Sequence, residues 1–121
     1  VAAAAQDPSC VMVNRNQGSG TRILIDRLLA GARPSGYAIQ PRSHNAVAAA
    51  VAQGRADWGV AIRRVADQAD LGFLPLTHEQ YDFVVPTSRS QRPAVVAFRR
   101  LLEDADVRQS LQELGLEAQT D

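Results

Sequence analysis

The sequence predicts an α/β fold, a mostly parallel sheet with flanking helices. Apolar strand-like runs alternate along the chain with helix-like stretches, which is the pattern of repeated strand and helix units. Glycine or proline stands at most changes of pattern, and 121 residues suffice for one small domain with a core. We therefore expect a single soluble, globular domain over residues 10–121.

The first strand and helix are the most clearly marked elements. Cys10–Asn14 is an apolar run that predicts a strand, and Thr21–Ala32 predicts a helix because its apolar residues recur four apart. Gly31 and Pro34 end this helix. Residues 1–9 are rich in alanine and end near an Asp-Pro pair, so we interpret them as a linker or boundary remnant.

A second strand and helix follow. Tyr37–Gln40 predicts a short strand that ends at Pro41, because proline has no N–H for a β-ladder. Ser43 is placed to cap a helix over His44–Gln53. Gly54 fits the end of that helix.

The next part of the chain predicts three more strands. Asp57–Ile62 is the third strand of the sheet, and Val65–Asp70 is a short helix. Phe73–Leu76 and Tyr81–Val85 are further strands, since both are short and apolar and lie between polar turns.

Two helices complete the prediction. Pro93 suits the first turn of a helix that ends near Glu103. Asp106 resembles the first residue of a capping box for a final helix over Val107–Leu114. Gly115 suits the end of that helix.

The turn between the first strand and the first helix has the features of an anion site. A helix start leaves backbone N–H groups unpaired and carries partial positive charge. Gly18 and Gly20 let the backbone approach a ligand closely, Ser19 and Thr21 add hydroxyl donors, and Arg15 adds a charged donor fork. The alternative is a plain turn in which Ser19 or Thr21 caps the helix.

Three better-known glycine-rich motifs do not fit these residues. A dinucleotide fingerprint needs a third glycine where this chain has Ile23. A P-loop needs a lysine, and the chain contains none. A nucleophile elbow needs glycines two residues before and after the serine, where Gln17 and Thr21 stand.

A second connection leaves the same edge of the predicted sheet. Residues 42–45 follow the second strand as residues 15–21 follow the first, and ligands of open α/β folds bind at the carboxyl ends of strands. Ser43 and His44 can therefore face the same cleft as Ser19, although His44 is equally interpreted as a surface residue at a helix start.

Composition limits the classes of function. The thirteen basic and thirteen acidic residues balance, which argues against a nucleic-acid-binding domain, and no apolar run is long enough to span a membrane. Cys10 is the single cysteine, so no internal disulfide and no multi-cysteine metal site can form. No nucleophile stands with a base and an orienting group, so the catalytic and metal-ligand assignments are both none.

The sequence resembles type II periplasmic-binding-protein-like domains. Their phosphate and tungstate binders carry an Arg-x-Asp-x-Ser-Gly-Thr turn, which Arg15, Ser19, Gly20 and Thr21 match and from which Gln17 departs. The remaining landmarks resemble the branch fused to MoeA-type molybdopterin-biosynthesis proteins and to helix-turn-helix regulators of molybdate metabolism. They are Asn14, Arg22, His44, Ala46–Ala52, Gly54, Ala56, Asp57, Gly59, Gly72–Leu76, Tyr81, Asp82, Val85 and Pro86.

This resemblance implies one lobe of a two-lobed binding protein, with the other lobe upstream in a longer protein. The implied function is a sensory domain for a small oxyanion, molybdate or tungstate, with no covalently bound cofactor. The implied contacts are Arg15, Gln17, Ser19, Gly20, Thr21, Ser43, His44 and, from the strand that returns toward the first lobe, Tyr81.

The resemblance leaves several points open. The ligand is either a bare oxyanion or a larger phosphate-bearing molecule, and the partner is a fused upstream domain, with a homodimer as a further option. The implied location is cytoplasmic, with the periplasm not excluded. The alternative function is a structural or oligomerisation module of a MoeA-type molybdotransferase, in which the catalytic activity belongs to the parent protein.

Overall fold

The structure is a computed structural model that describes residues 1–119, and it divides the chain into two compact units. The first unit, Val1–Leu74, holds six elements: α1 (Ala2–Gln6), β1 (Met12–Val13), α2 (Gly20–Leu29), α3 (His44–Ala52), β2 (Trp58–Gly59) and α4 (Arg63–Gln68). The second unit, from Pro75 onward, holds a 3₁₀ turn and two helices: Thr87–Arg89, α5 (Pro93–Glu103) and α6 (Ala105–Glu113).

A two-stranded parallel sheet lies at the centre of the first unit. Met12 pairs with Trp58, and Val13 pairs with Gly59. A Cβ atom at Gly59 would lie 2.7 Å from a methyl carbon of Val47 and 2.8 Å from one of Val13, so only glycine lets α3 approach the sheet this closely.

The alternation of side chains along β1 places one helix on each face of the sheet. Met12 is buried with Ile25 and Leu29 of α2, whereas Val13 is buried with Val47 of α3. Burial of each such side chain contributes about 1.5–3 kcal/mol. These two small clusters form the core of the first unit and fix where both helices begin.

The helices of the first unit agree with the predictions, with small differences at their ends. Helix α2 ends at Leu29 rather than Ala32, because Ala30 adopts a left-handed conformation with φ of 48° and donates back to Arg27 and Asp26. Ser43 caps α3 as predicted, since its hydroxyl oxygen accepts from the Ala46 N–H at 3.1 Å.

Two other predicted elements of this unit are shifted or shortened. Helix α4 begins at Arg63 and ends at Gln68, and the predicted strand Asp57–Ile62 is reduced to the two residues of β2. The predicted linker over residues 1–9 contains α1, whose Ala5 packs against the cluster around Met12. The division of the chain at residue 10 stays a prediction.

The predicted strand Tyr37–Gln40 is wrong. Gly36 has a left-handed φ of 90°, and residues 35–38 form a turn instead. This segment nevertheless runs beside β1 and supplies carbonyl acceptors to it. The three bonds run from the N–H groups of Met12, Asn14 and Asn16 to the carbonyl oxygens of Ser35, Ile39 and Pro41, at 2.8, 2.9 and 3.1 Å.

The predicted strands Phe73–Leu76 and Tyr81–Val85 are also wrong within the part of the chain that the structure describes. A strand needs a hydrogen-bonded neighbour, and neither segment has one there. Every residue over 74–89 is exposed. The fold is therefore mixed α/β with a small two-stranded parallel sheet, and the larger, mostly parallel sheet that we expected is absent from residues 1–119.

The two helices of the second unit begin and end close to their predicted positions. Pro93 is the first residue of α5, as expected. The cap of α6 is Asp104 rather than Asp106, because Asp104 Oδ1 accepts from the Asp106 and Val107 N–H groups at 3.0 and 3.1 Å. Gly115, with φ of 79°, follows the end of α6. None of the helices within residues 1–119 is long and apolar enough to cross a membrane.

Candidate functional site

Arg15 is a buried cation that forms no ion pair with any carboxylate of residues 1–119. It follows β1 directly and is 8% exposed. Its Nη1 lies 3.4 Å from His44 Nδ1, its Nη2 lies 3.5 Å from Asn16 Oδ1, and its buried Nε has no hydrogen-bond partner among the described residues. In that part of the chain the guanidinium therefore makes two long contacts.

The contact between Arg15 and His44 joins the starts of two helices. Arg15 is close to the turn that leads into α2, and His44 is the first residue of α3. A guanidinium can only donate, so His44 Nδ1 is the acceptor in this contact. The charged side chain of Arg15 therefore lies beside the start of α3, which carries partial positive charge.

The turn before α2 holds several unused donors. Ser19 is the helix cap: its hydroxyl donates to Asn16 O and accepts from the Arg22 N–H, both at 3.1 Å. By contrast, the N–H groups of Gly20 and Thr21 have no acceptor in the described part of the chain, and neither has the Thr21 hydroxyl. These three donors remain available to a ligand.

The glycines of this turn leave space around the backbone. Gly18 has a left-handed φ of 87°, which a non-glycine residue adopts only with strain. A Cβ atom on Gly20 would meet no protein atom within 4 Å. The side of the turn where Gly20 lies is therefore open for a ligand to approach the main chain.

The other predicted contacts differ in their surroundings. Gln17 is exposed in the turn, and its carbonyl oxygen accepts from Asn16 Nδ2 at 3.4 Å. The Ser43 hydroxyl serves as the cap of α3. Tyr81 belongs to the second unit, is 66% exposed, and donates from its hydroxyl to Glu79 Oε2 at 3.1 Å. The assignment of all these residues as ligand contacts stays a prediction.

A second buried arginine lies close by and is fully paired. Arg22 donates from Nε to both carboxylate oxygens of Asp26 at 3.0–3.1 Å, from Nη2 to the Tyr37 hydroxyl at 2.8 Å, and from Nη1 to the carbonyl oxygen of Arg15 at 2.9 Å. Tyr37 in turn donates to Asp26 Oδ1 at 2.9 Å. The charge of Arg22 is therefore neutralised by Asp26, whereas that of Arg15 is neutralised by no carboxylate of residues 1–119.

This pairing changes the protonation equilibria of both partners. Burial alone would lower the pKa of Arg22, but the hydrogen bonds to Tyr37 and Asp26 outweigh it and raise that pKa. Desolvation alone would raise the pKa of Asp26, but its hydrogen bonds with Tyr37 and Arg22 and the charges of Arg22 and Arg33 hold it below its usual value. Both groups therefore favour their charged forms.

The sequence contained weak signals for the roles of Arg22, Asp26 and Asn14, which were not predicted. Arg22 and Asp26 stand four apart on a predicted helix, the spacing of a surface ion pair. Asn14 is a polar residue at the end of an apolar run, and it is fully buried. Its side chain accepts from the Arg15 N–H and donates to the Tyr37 carbonyl, both at 2.9 Å. Asn14 therefore fixes the start of the turn.

The described residues contain no cluster that resembles a metal centre. No group of three or more His, Cys, Asp or Glu side chains within residues 1–119 is arranged to hold a metal ion. The described contacts of the Arg15 guanidinium are to His44 and Asn16, and neither supplies a carboxylate.

The family profile described as a PBP superfamily domain matches residues 3–103, and the chain therefore belongs to the periplasmic-binding-protein-like superfamily. It is similar to a protein of Bacillus subtilis (strain 168), the uncharacterized protein YvgK, with 34% identity over 109 residues. The match covers 86% of this chain and 35% of that relative, so the chain spans about a third of the relative's length. No solved structure matches the chain.

Proposed function

We propose that this domain binds a small oxyanion between Arg15 and the start of α2, with molybdate or tungstate as the ligand. The observation that carries the proposal is the burial of the Arg15 guanidinium, whose Nε has no partner and which pairs with no carboxylate within residues 1–119. A buried charge without a partner costs several kcal/mol, and a bound anion removes that cost by supplying both charge and acceptors.

The available donors suit a tetrahedral anion. Arg15 offers its Nε and its two Nη groups, whose contacts with His44 and Asn16 are long. The start of α2 offers the N–H groups of Gly20 and Thr21 and the Thr21 hydroxyl. Charge-assisted hydrogen bonds of this kind are about twice as strong as neutral ones. The proposed mechanism is capture of the ligand without chemistry on it, followed by closure against the other lobe in the longer protein.

The residue at position 17 bears on which anion binds. An aspartate there would accept a hydrogen bond from a protonated oxygen of the ligand, as in hydrogen phosphate, and would repel a fully ionised anion. Gln17 is neutral and exposed beside the turn, and its amide can donate. We therefore expect molybdate, tungstate and sulfate to bind more tightly than hydrogen phosphate at neutral pH.

The context of a molybdenum-cofactor biosynthesis protein or regulator rests on the resemblance described above. The superfamily membership supports ligand binding in general terms, and the relative is longer than this chain. We propose a cytoplasmic sensory role for the longer protein, with this chain contributing one side of the ligand cleft. One side of a cleft binds more weakly than two, so we expect low affinity from this chain alone.

A titration of the 121-residue chain with molybdate, tungstate, sulfate and phosphate tests the proposal, with nuclear magnetic resonance used to detect weak binding. We expect saturable shifts of the Gly20 and Thr21 amides with molybdate and at least a tenfold loss of affinity in Arg15→Ala. Arg27→Ala removes the same charge from an exposed position on α2 and serves as the matched control. Equal losses in both variants, or no saturable shift, would refute an anion site at Arg15.

A second candidate function is a structural or oligomerisation module of a longer enzyme. The observation that favours it is a run of exposed apolar side chains, with Leu74 87%, Phe83 68% and Val84 91% exposed. Exposed apolar surface of this kind marks protein contacts. If the molecular mass in solution rises with protein concentration, if Phe83→Ser abolishes that rise, and if no anion produces a response, this function is favoured over anion binding.

A further inference from the structure

Both polar groups of the Arg15 main chain are held by side chains rather than by the sheet. The Arg15 N–H donates to Asn14 Oδ1, and the Arg15 carbonyl oxygen accepts from Arg22 Nη1, each at 2.9 Å. Asn14 and Arg22 are 0% and 5% exposed. The backbone position from which the unpaired guanidinium extends is therefore set by two buried side chains.

Tyr37 and Asp26 in turn hold the Arg22 side chain by hydrogen bonds. Tyr37 accepts from Arg22 Nη2 at 2.8 Å and donates to Asp26 Oδ1 at 2.9 Å, and Arg22 Nε donates to the same carboxylate. The Arg22 guanidinium also lies 4.7 Å from the centre of the Tyr37 ring. A closed ring of hydrogen bonds thus leads from the surface of α2, where Asp26 is 45% exposed, to the main chain of Arg15.

We propose that Asp26, through Tyr37 and Arg22, is a positioning residue for the anion site, an inference that rests on the proposed function. Loss of the Asp26 carboxylate leaves Arg22 without its counterion, its Nε without charged acceptors and the Tyr37 hydroxyl without its charged acceptor, so the guanidinium is held less firmly. The Arg15 carbonyl then loses a fixed partner, and the donors of Arg15 and of the turn are no longer held in one geometry. Precise placement of donors decides the strength of an oxyanion site.

The direction in which the molybdate affinity changes in Asp26→Asn distinguishes a positioning role of Asp26 from a purely electrostatic one. Asp26→Asn removes a negative charge near the site and frees a positive one, so a purely electrostatic role predicts tighter anion binding. A positioning role predicts weaker binding, and we expect about a fivefold loss of molybdate affinity. Tyr37→Phe keeps the ring and the net charge but removes the bridging hydroxyl, so we expect a smaller loss in the same direction.

The test is a molybdate titration of the 121-residue chain and its variants at neutral pH, well below their unfolding temperatures. Asp67→Asn removes a carboxylate from α4 and controls for net charge, and Val65→Ala destabilises a buried position elsewhere and controls for stability. We expect both controls to bind like the wild type. Weaker binding in Asp26→Asn and, to a smaller extent, in Tyr37→Phe, with wild-type binding in both controls, supports the positioning role.

Three outcomes would overturn the inference, and they are distinguishable. Saturable binding by the wild type with equal or tighter binding by Asp26→Asn refutes the positioning role and leaves the anion site standing. Weaker binding in Val65→Ala to the same extent assigns the effect to stability and refutes positioning as well. Absence of saturable binding in the wild type overturns the proposed function and this inference together.

Discussion

Arg22 Nη1 donates to the carbonyl oxygen of Arg15 at 2.9 Å, so the paired buried arginine of the first unit holds the main chain of the unpaired one. The two residues stand seven apart in sequence and have opposite surroundings. Within residues 1–119, Arg22 contacts Asp26 and Tyr37, whereas the guanidinium of Arg15 contacts His44 and Asn16. Under the proposed function, Arg22 stabilises the fold and Arg15 binds the ligand.

Replacement of Arg22 by methionine should destabilise the first unit by about 2–3 kcal/mol, because a buried carbonyl loses its donor and Asp26 loses its cation. Chemical denaturation followed by circular dichroism measures the change. Arg27→Met on the exposed side of α2 should change stability by less than about 0.5 kcal/mol. Similar losses in the two variants would contradict the structural role of Arg22.

Stability should depend on the ionisation of Asp26 at acid pH. Its pKa is lowered in the folded state, so it contributes stability above the pKa of the unfolded chain, about 3.9. This contribution is lost as the pH falls through the folded pKa. The wild type should therefore lose stability more steeply than Asp26→Asn between about pH 6 and pH 3, as measured by thermal unfolding. Parallel curves of stability against pH for the wild type and Asp26→Asn would exclude this linkage. The control variant Asp67→Asn should lose stability at acid pH as steeply as the wild type.

Gly59 in β2 and Gly20 at the start of α2 should respond differently to alanine. Gly59→Ala should cost about 1–3 kcal/mol, because the added methyl group collides with Val47 and Val13. Gly20→Ala should leave stability unchanged or raise it slightly, since the methyl group meets no protein atom there. Urea unfolding of both variants measures the difference. A large loss in Gly20→Ala would show that the turn is packed rather than open.

The cap of α6 provides a matched pair of aspartates. Asp104→Ala should cost about 1 kcal/mol, because the Asp106 and Val107 N–H groups lose their shared acceptor. Asp106→Ala removes only a charge in the first turn of the helix, so a smaller loss of about 0.3–1 kcal/mol is expected. Thermal unfolding followed by circular dichroism compares the two. The reverse order would restore the sequence-based assignment of Asp106 as the start of the capping motif.

Local signals in the sequence located most helices and the turn of the candidate site. Ser43 and Pro93 mark helix starts because caps and proline at the first turn act within a few residues. The strands were predicted less well, since apolar runs such as Tyr81–Val85 form strands only beside a hydrogen-bonded neighbour. No local pattern specifies that neighbour.

The candidate site shows the same division between local and distant information. Arg15, Gly20 and Thr21 were predicted as ligand contacts because they belong to one short motif, and this assignment stays a prediction. The contact of Arg15 with His44 joins residues 29 apart, and the bond from Asn14 to Tyr37 spans 23. Such contacts arise from packing of α2 and α3 on opposite faces of β1, which spacing alone does not encode.

The single tryptophan of the chain gives one of the two units its own optical signal. Trp58 lies in β2 against the cluster around Met12 and Ile25, with its indole nitrogen buried, and the second unit contains no tryptophan. Its fluorescence therefore follows the unfolding of the first unit alone, while far-ultraviolet circular dichroism reports helices of both units. Coincident transitions by the two probes would mean that the units unfold as one cooperative body, and separate transitions would give each unit its own free energy of unfolding.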